Sequence, residues 1–369
     1  MFLQNLSIIN FKNYNEANLE FSPKVNCFTG KNASGKTNLL DAIYYLSFCK
    51  SFSNPIDSQN IHHDFDFFVI RGNYKMNGKT DELHCGMKRN QNKIFKRNKK
   101  VYDRLSDHIG LYPLVLVHPG DVNLLLGGSE DRRKFVDGVI SQYNKEYLHV
   151  LLHYKRALLQ RNTLLKSFAE KKFFDESSLE VWDEQLIEHG SYLYEQRKLF
   201  FDEFLPVFSE YYSFLTHAEE NVSINYISHL NDDSFENLLK DSRQSDTYAQ
   251  FTTKGIHKDN LEFIINNYPV KKFGSQGQQK SFIIALKLAQ FAFTKRVKEL
   301  NPIMLFDDIF DKLDEHRVTQ LMKLVSENTF GQIFVTDTDA GRLEKIFSAI
   351  KTETKIFEVD NGMVKEIKG

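Results

Sequence analysis

Apolar and polar positions alternate along Leu3–Ile9 and again along Val25–Phe28, the period of strands with one buried face. At Lys36 the period changes, and Leu39, Ile43 and Leu46 recur as one face of a helix. The opening therefore reads as strand, loop, helix. Strand-like runs follow at Phe67–Arg71, Leu83–Met87 and Leu114–Val117, until Gly127-Gly128-Ser129 stops the pattern. From about Ser129 to about Ser213 the period is helical. Ser129 is placed as an N-cap, with Glu130 and Asp131 in the first turn, where the helix dipole favours acids. Leu148, Leu151, Leu152, Leu158, Leu159 and Leu165 form one apolar stripe; Leu179, Trp182, Leu186, Leu193, Phe200 and Phe204 form another. Two such stripes predict an antiparallel helical arm whose helices pack on each other. Strand patterns return at Val222–Ile227 and Leu261–Ile265. An α/β sheet domain interrupted by a helical insertion explains this order, with residues 1–128 and 214–369 as two parts of one head and 129–213 as the arm.

Composition narrows the classes. The 369 residues carry 48 Lys and Arg against 49 Asp and Glu, so any nucleic-acid surface must be local rather than global. Cys27, Cys49 and Cys85 have no C-x-x-C spacing, which removes a disulfide framework, a zinc ribbon and a zinc hook and fits a cytoplasmic protein. Met1–Tyr14 lacks the apolar core of a signal peptide, and no stretch approaches the roughly 18 apolar residues of a membrane span.

Gly30-Lys31-Asn32-Ala33-Ser34-Gly35-Lys36-Thr37 fits the phosphate-binding pattern G-x-x-x-x-G-K-[ST], between a strand and a helix. Glycines there let backbone N–H groups turn toward phosphate oxygens, and the helix N-terminus adds positive potential. Lys36 is expected to reach the β and γ phosphates and Thr37 to ligate Mg²⁺, with Asn38 continuing the contact. Ile303–Phe306 followed by Asp307-Asp308 supplies an apolar strand ending in two carboxylates. Asp307 suits the Mg²⁺ shell, and Asp308 suits the orientation or deprotonation of an attacking water. Ahead of it, Phe273-Gly274-Ser275-Gln276-Gly277-Gln278-Gln279-Lys280 opens a second helix with the S-x-G-Q signature of ABC-type ATPases. Ser275, Gly277 and Gln278 there suit the γ-phosphate of ATP bound on another protomer. Asp311-Lys312-Leu313-Asp314 matches a D-loop, placing Asp314 among the nucleotide contacts.

These motifs, together with Leu6–Tyr14, Lys50-Ser51-Phe52, Asp131-Arg132-Arg133-Lys134-Phe135 and Gln160-Arg161-Asn162, resemble the bacterial RecF family of recombination mediators over nearly the whole chain. The resemblance implies an SMC-like ABC ATPase head with a short helical arm, weak DNA-stimulated ATP hydrolysis, and ATP-dependent homodimerisation. It also implies binding at double-strand/single-strand DNA junctions and work with RecR and RecO to load RecA at gaps. Four positions depart from the family pattern. Ala33 stands where Gly is usual, which negative φ would make tolerable. Ser53 replaces an Arg, and Gly255–Asn260 carries Lys258 in place of an Arg whose guanidinium fork Lys does not reproduce. Thr336-Asp337-Thr338 lies where many ABC ATPases keep a switch histidine, so hydrolysis is expected to be slow.

The alternative within the ATPases is an SbcC-like or chromosome-organising head. An arm of 129–213 is too short for a long coiled coil and has no Cys pair, which weighs against both. A DNA surface is expected at Lys88, Arg89, Lys93, Lys96, Arg97, Lys99 and Lys100, a run without acids in which Asn98 suits a hairpin turn. The competing reading of that run is a solvated hairpin.

Overall fold

The computed structural model describes residues 1–216, 220–309, 315–326, 329–348 and 352–368. Their contacts divide the chain into two units, Met1–Asp121 with Leu286–Gly369, and Val122–Ala285. In chain order the first unit begins with β1 (Phe2–Phe11), β2 (Tyr14–Glu20), β3 (Val25–Thr29) and α1 (Lys36–Phe48). It continues with β4 (Phe67–Met76), β5 (Lys79–Lys88), β6 (Ile94–Arg97), β7 (Lys100–Val101) and β8 (Leu114–Val117). The second unit holds α2 (Val122–Leu126), α3 (Ser129–Tyr143), α4 (Lys145–Lys171), α5 (Glu176–Thr216), β9 (Val222–Ile227) and α6 (Phe235–Ala249). After these come β10 (Asn260–Ile265), β11 (Tyr268–Pro269) and α7 (Val270–Phe273), then α8 (Gln276–Lys298), in which the division falls. The chain returns to the first unit through β12 (Ile303–Asp307), α9 (Glu315–Ser326), β13 (Ile333–Asp337), α10 (Ala340–Ser348), β14 (Thr354–Asp360) and β15 (Met363–Lys368).

Two six-stranded sheets build the first unit. One is antiparallel, in the order β2-β1-β4-β5-β6-β7; the other runs β15-β14-β3-β13-β12-β8 and is parallel except at β15. Every residue of β3, β8, β12 and β13 is buried. That is why LVLV, IMLF and IFV read as continuous apolar runs, as strands covered on both faces do, whereas the alternation read along Val25–Phe28 is corrected: Asn26 is buried too, its side chain hydrogen-bonded to Ser22. β1 and β2 instead alternate, because one face of their hairpin meets the core. Leu39, Leu40, Ile43 and Leu46 of α1 join one apolar cluster with residues from both sheets, including Ile8, Ile70, Leu305 and Phe334. Parallel pairing brings the C-terminal ends of β3, β13, β12 and β8 to one edge, where α/β folds place their chemistry.

The second unit runs beyond the expected segment 129–213, taking in 122–128 and 214–285, which the sequence pattern assigns to the head; within it α4 and α5 pack on each other. Two further details differ from the expectation. Gly128, not Ser129, occupies the cap of α3, and no side chain caps it. The buried face of α4 is Tyr147, Leu151, Tyr154, Ala157, Arg161, Leu165 and Phe168, whereas Leu152 and Leu159 are 49% and 63% exposed. Leucine spacing alone misplaces the stripe because its centre is filled by an arginine. Arg161 is wholly buried: its Nε donates to Asp183 Oδ1 at 2.6 Å, and its Nη1 donates to Asp246 Oδ2 at 2.6 Å and Thr252 Oγ1 at 2.9 Å. Arg197 of α5 repeats the device, donating to Asp259 Oδ2 at 2.6 Å and Asp137 Oδ1 at 2.8 Å. These ion pairs tie α3, α4, α5, α6 and the segment before β10 together inside the unit.

Removing one member of a buried pair leaves an uncompensated charge. Arg161→Ala is expected to lower the unfolding free energy by about 3–5 kcal/mol, read by chemical denaturation. A loss below about 1 kcal/mol would show that Asp183 and Asp246 do not depend on it.

Candidate active site

The loop after β3 is shaped by backbone that side chains would obstruct. Gly30 and Gly35 have φ of 150° and 115°. A Cβ on Gly30 would lie 2.2 Å from the Val359 carbonyl oxygen, and one on Gly35 would lie 2.5 Å from Asn13 Nδ2. The turn between β1 and β2 braces the loop from outside: Tyr14 Oη donates to Gly35 O at 3.0 Å, Asn13 Nδ2 to Ser34 O at 3.1 Å, and Asn38 Nδ2 to Asn13 Oδ1 at 2.7 Å. No side chain caps α1, and its first turn holds no acid, so its opening N–H groups stay available to an anion.

Lys36 folds back over this loop, its Nζ donating to Gly30 O at 2.7 Å and Lys31 O at 2.9 Å. Burial pushes its ammonium below the usual lysine value, while Asp308, Asp307 and Asp337 oppose that shift. The Thr37 hydroxyl is shared between the two carboxylate oxygens of Asp307, at 2.9 and 3.1 Å. Thr336 completes the frame: its hydroxyl donates to Asp307 Oδ1 at 2.8 Å and accepts from the Asp308 N–H at 2.9 Å. Burial pushes the Asp307 carboxyl above the usual carboxylate range, against the hydrogen bonds from Thr336 and Thr37. Asp308 has φ of 51°, and its buried Oδ1 has no hydrogen-bond partner. Asn32, Ala33, Gly35, Lys36, Thr37, Asn38, Asp307, Asp308 and Thr336 line one cleft of about 180 Å³.

This donor set fits a polyphosphate with a hard divalent cation. A hydroxyl beside a carboxylate offers oxygen ligands, Asp308, whose Oδ1 is buried without a hydrogen-bond partner, lines the same cleft, and the loop presents N–H groups and one ammonium. A second cavity, lined by Lys12, Asn13, Asn38, Ser53, Asn54, Gln59, His62 and His63 among others, shares Asn38 with the first.

In the second unit, Ser275 and Gln278 satisfy each other at the start of α8. Gln278 N donates to Ser275 Oγ at 3.2 Å, and Ser275 N donates to Gln278 Oε1 at 2.7 Å, a reciprocal capping box. Gln278 Nε2 is also engaged, donating to Glu220 Oε1 at 2.5 Å, whereas Ser275 is exposed and Gly277 half-buried. Asp311 to Asp314, including the expected nucleotide contact Asp314, lies outside the described residues.

The basic run does not act as one surface. Lys93 Nζ is held by Asp57 Oδ2 at 2.7 Å and Cys49 O at 2.6 Å, and Arg97 by Asp81 at 2.8 Å. Arg89 lies 3.9 Å from Asp66. Lys88, Lys99 and Lys100 are exposed and Lys96 half-exposed, without an acidic partner among the described residues. Asn98 and Lys99, with φ of 50° and 68°, form the two-residue turn between β6 and β7.

A family model described as the RecF/RecN/SMC N terminal domain matches residues 2–107. The DNA replication and repair protein RecF of Bacteroides thetaiotaomicron is 50% identical over 368 residues, covering 100% of this chain and 99% of the relative. That of Phocaeicola vulgatus is 52% identical over 370 residues with the same coverage. The chain belongs to the RecF family of DNA replication and repair proteins. A solved structure of the recombination mediator RecF with ATP, from the RecFOR pathway, superposes with a TM-score of 0.89 at 27% identity, covering 100% of this chain and 98% of that one. The Smc head domain of Pyrococcus furiosus, at 17% identity, TM-score 0.57 and coverage of 99% and 96%, shares the fold. The architecture is therefore that of an SMC-like ABC-type ATPase head.

Against the RecF pattern, the four departures now have surroundings. Ala33 has φ of 65°, in the left-handed region, so the condition under which alanine would be tolerated without strain is not met. Ser53 accepts a hydrogen bond from Lys12 Nζ, which also pairs with Asp41. Lys258 lies 4.8 Å from the centre of the Phe251 ring, while Asp259 O accepts from Arg133 Nη1 at 2.7 Å and Asn260 Oδ1 from Arg132 Nε at 2.9 Å. At the strand end where a histidine is usual, Thr336 instead bridges Asp307 and Asp308. Asn13 and Tyr14, at the end of the family-like segment Leu6–Tyr14, and His118, which opens the neighbourhood 118–121 where a Q-loop residue is expected, also contribute to this edge. His118 directly follows Val117, which pairs with Phe306, so it sits beside Asp307 in register. Its ring lies 3.5 Å from Asp121, which Lys287 holds at 2.6 Å.

The left-handed backbone at Ala33 costs an L-residue roughly 1–2 kcal/mol that glycine avoids, partly offset by glycine's freer unfolded chain. Ala33→Gly is expected to raise the unfolding free energy by about 0.5–1 kcal/mol. Thermal unfolding checks this, and a loss of similar size would contradict the backbone assignment.

Proposed function

We propose that this chain is a weak, DNA-stimulated ATPase of recombinational repair, in which hydrolysis of ATP to ADP and phosphate serves to change a conformational state. The observation that carries this reading is the Thr37–Asp307–Thr336 frame beside Lys36, with the unpartnered Asp308 carboxylate next to it. Mg²⁺ bound with ATP would supply charge neutralisation for the β and γ oxygens. Thr37 and Asp307 would hold that ion, and Gly30 to Asn38 would cradle the phosphates. Lys36 Nζ would exchange its two loop carbonyls for phosphate oxygens, giving the ammonium anionic partners. Asp308 Oδ1 would accept a proton of the attacking water and so orient it. Thr336 and Asp337 stand at the strand end in place of an imidazole, which supports slow turnover.

The nucleotide would also be the interface. Ser275, exposed at the start of a 23-residue helix, and Gly277 would complete the γ-phosphate site of a second copy, giving a two-fold dimer with two composite sites. ATP would then close the pair on double-strand/single-strand junction DNA, and hydrolysis would release it. Lys88, Lys96, Lys99 and Lys100 are the members of the basic run free to meet phosphates. The family's partners RecR, RecO and RecA belong to this reading through resemblance.

Light scattering tests it. Molecular mass should double with ATP and Mg²⁺, Asp308→Asn should prolong the doubled state, and Lys36→Met should remain a monomer. Both variants dimerising like the parent would contradict the mechanism.

A further inference from the structure

Beside the signature segment stands an aromatic pair that the fold does not use. Tyr268 and Phe273 are 60% and 66% exposed, with ring centres 5.5 Å apart at 62°, an edge-to-face contact between two side chains that both face solvent. Single exposed apolar residues are ordinary, but two large rings in contact with each other mark a surface of a different kind.

Their mounting is rigid. Tyr268 closes the two-residue turn of Asn266 and Asn267, whose φ values are 49° and 67°, and pairs with Ile265. Val270, two residues on, is buried. Gly274 N donates to Val270 O at 2.9 Å, and a Cβ on Gly274 would lie 2.8 Å from that same oxygen, so the turn under Phe273 tolerates no side chain. From the other side Gln279 Nε2 donates to Gly274 O at 2.9 Å, and the Ser275–Gln278 capping box fixes the next residue. Lys271 Nζ donates to Gly127 O at 3.2 Å. An aromatic held this way loses little freedom when it is covered, which is the property of an interface anchor.

We infer that Phe273, supported edge-on by Tyr268, is the apolar anchor of the nucleotide-dependent interface with a second copy of this chain. The inference rests on the reading that Ser275 meets the partner's nucleotide: Phe273 is two residues away on the same clamped turn, so the surface that approaches the partner must bring the ring with it. The phosphate contact at Ser275 would then supply the nucleotide dependence, while the ring supplies buried apolar area at little ordering cost. Nucleic acid is the competing occupant, since Lys271 and Lys272 flank the ring.

Phe273→Trp in a Trp182→Phe background places the sole indole of the chain at this position. In the full chain carrying Asp308→Asn, ATP and Mg²⁺ should shift its emission to the blue in step with the doubling of mass. Phe273→Ala, a truncation on the surface that the fold tolerates, should weaken the dimer by roughly thirtyfold. A doubled mass with unchanged emission, or Phe273→Ala dimerising as tightly as the parent, would overturn the anchor and leave the composite site standing. Failure of the parent to double would remove both. A blue shift with gapped duplex DNA in the absence of nucleotide would assign the ring to nucleic acid and overturn the second-copy assignment.

Discussion

The hydrogen bond from the Thr37 hydroxyl to the Asp307 carboxylate joins positions 270 residues apart, and the rest of the site is built around it. Thr37 is in the first turn of α1 and Asp307 is the last residue of β12, so the contact fixes where the phosphate loop ends relative to the sheet. Parallel pairing makes this possible. β3, β13, β12 and β8 all finish at one edge, and each delivers a polar residue there: the loop from Gly30, Thr336 and Asp337, Asp307 and Asp308, and His118. The arrangement is electrostatically uncomfortable by itself. Buried carboxyls surround a half-desolvated lysine, and the Asp308 oxygen is left without a partner. A cation among the carboxylates and an anion on the lysine would relieve both at once.

The second unit solves a different problem with similar means. Its helices are held by Arg161 and Arg197, each buried and each paired with two aspartates. Such pairs add little net stability over an apolar core, but they fix which residues face each other. Arg161 admits only a geometry in which α4, α5 and α6 present Asp183 and Asp246 to one guanidinium.

Much of this was legible in the sequence because the signals are local. β8 spans Leu114–Val117 as the apolar run predicts, and β3 and α1 flank the phosphate loop as the change of period predicts. The loop, the Asp307-Asp308 pair and the signature each carry their meaning within about eight residues. What stayed hidden is long-range. Asn13 and Tyr14 brace the loop from a turn 21 residues earlier, and although Leu6–Tyr14 carries the family resemblance, nothing in that segment shows which loop it supports. Leucine periodicity misplaced the stripe of α4 because a paired arginine behaves there as a core residue. The sequence leaves the φ of Ala33 open, and the loop imposes 65°. In the basic run, charge counting was blind to Asp57 and Asp81, which the fold brings from other elements to Lys93 and Arg97.

The central claim is that each nucleotide is held by the phosphate loop of one chain and the signature serine of another. Mixing two variants tests it most directly. Lys36→Met lacks a working loop and Ser275→Arg lacks a working signature, so each alone should release no phosphate from ATP. A mixed dimer has one intact composite site, built from the loop of the Ser275→Arg chain and the signature of the Lys36→Met chain. The account predicts that phosphate release reappears on mixing and saturates as either variant is titrated into the other. A mixture as silent as its components would contradict it.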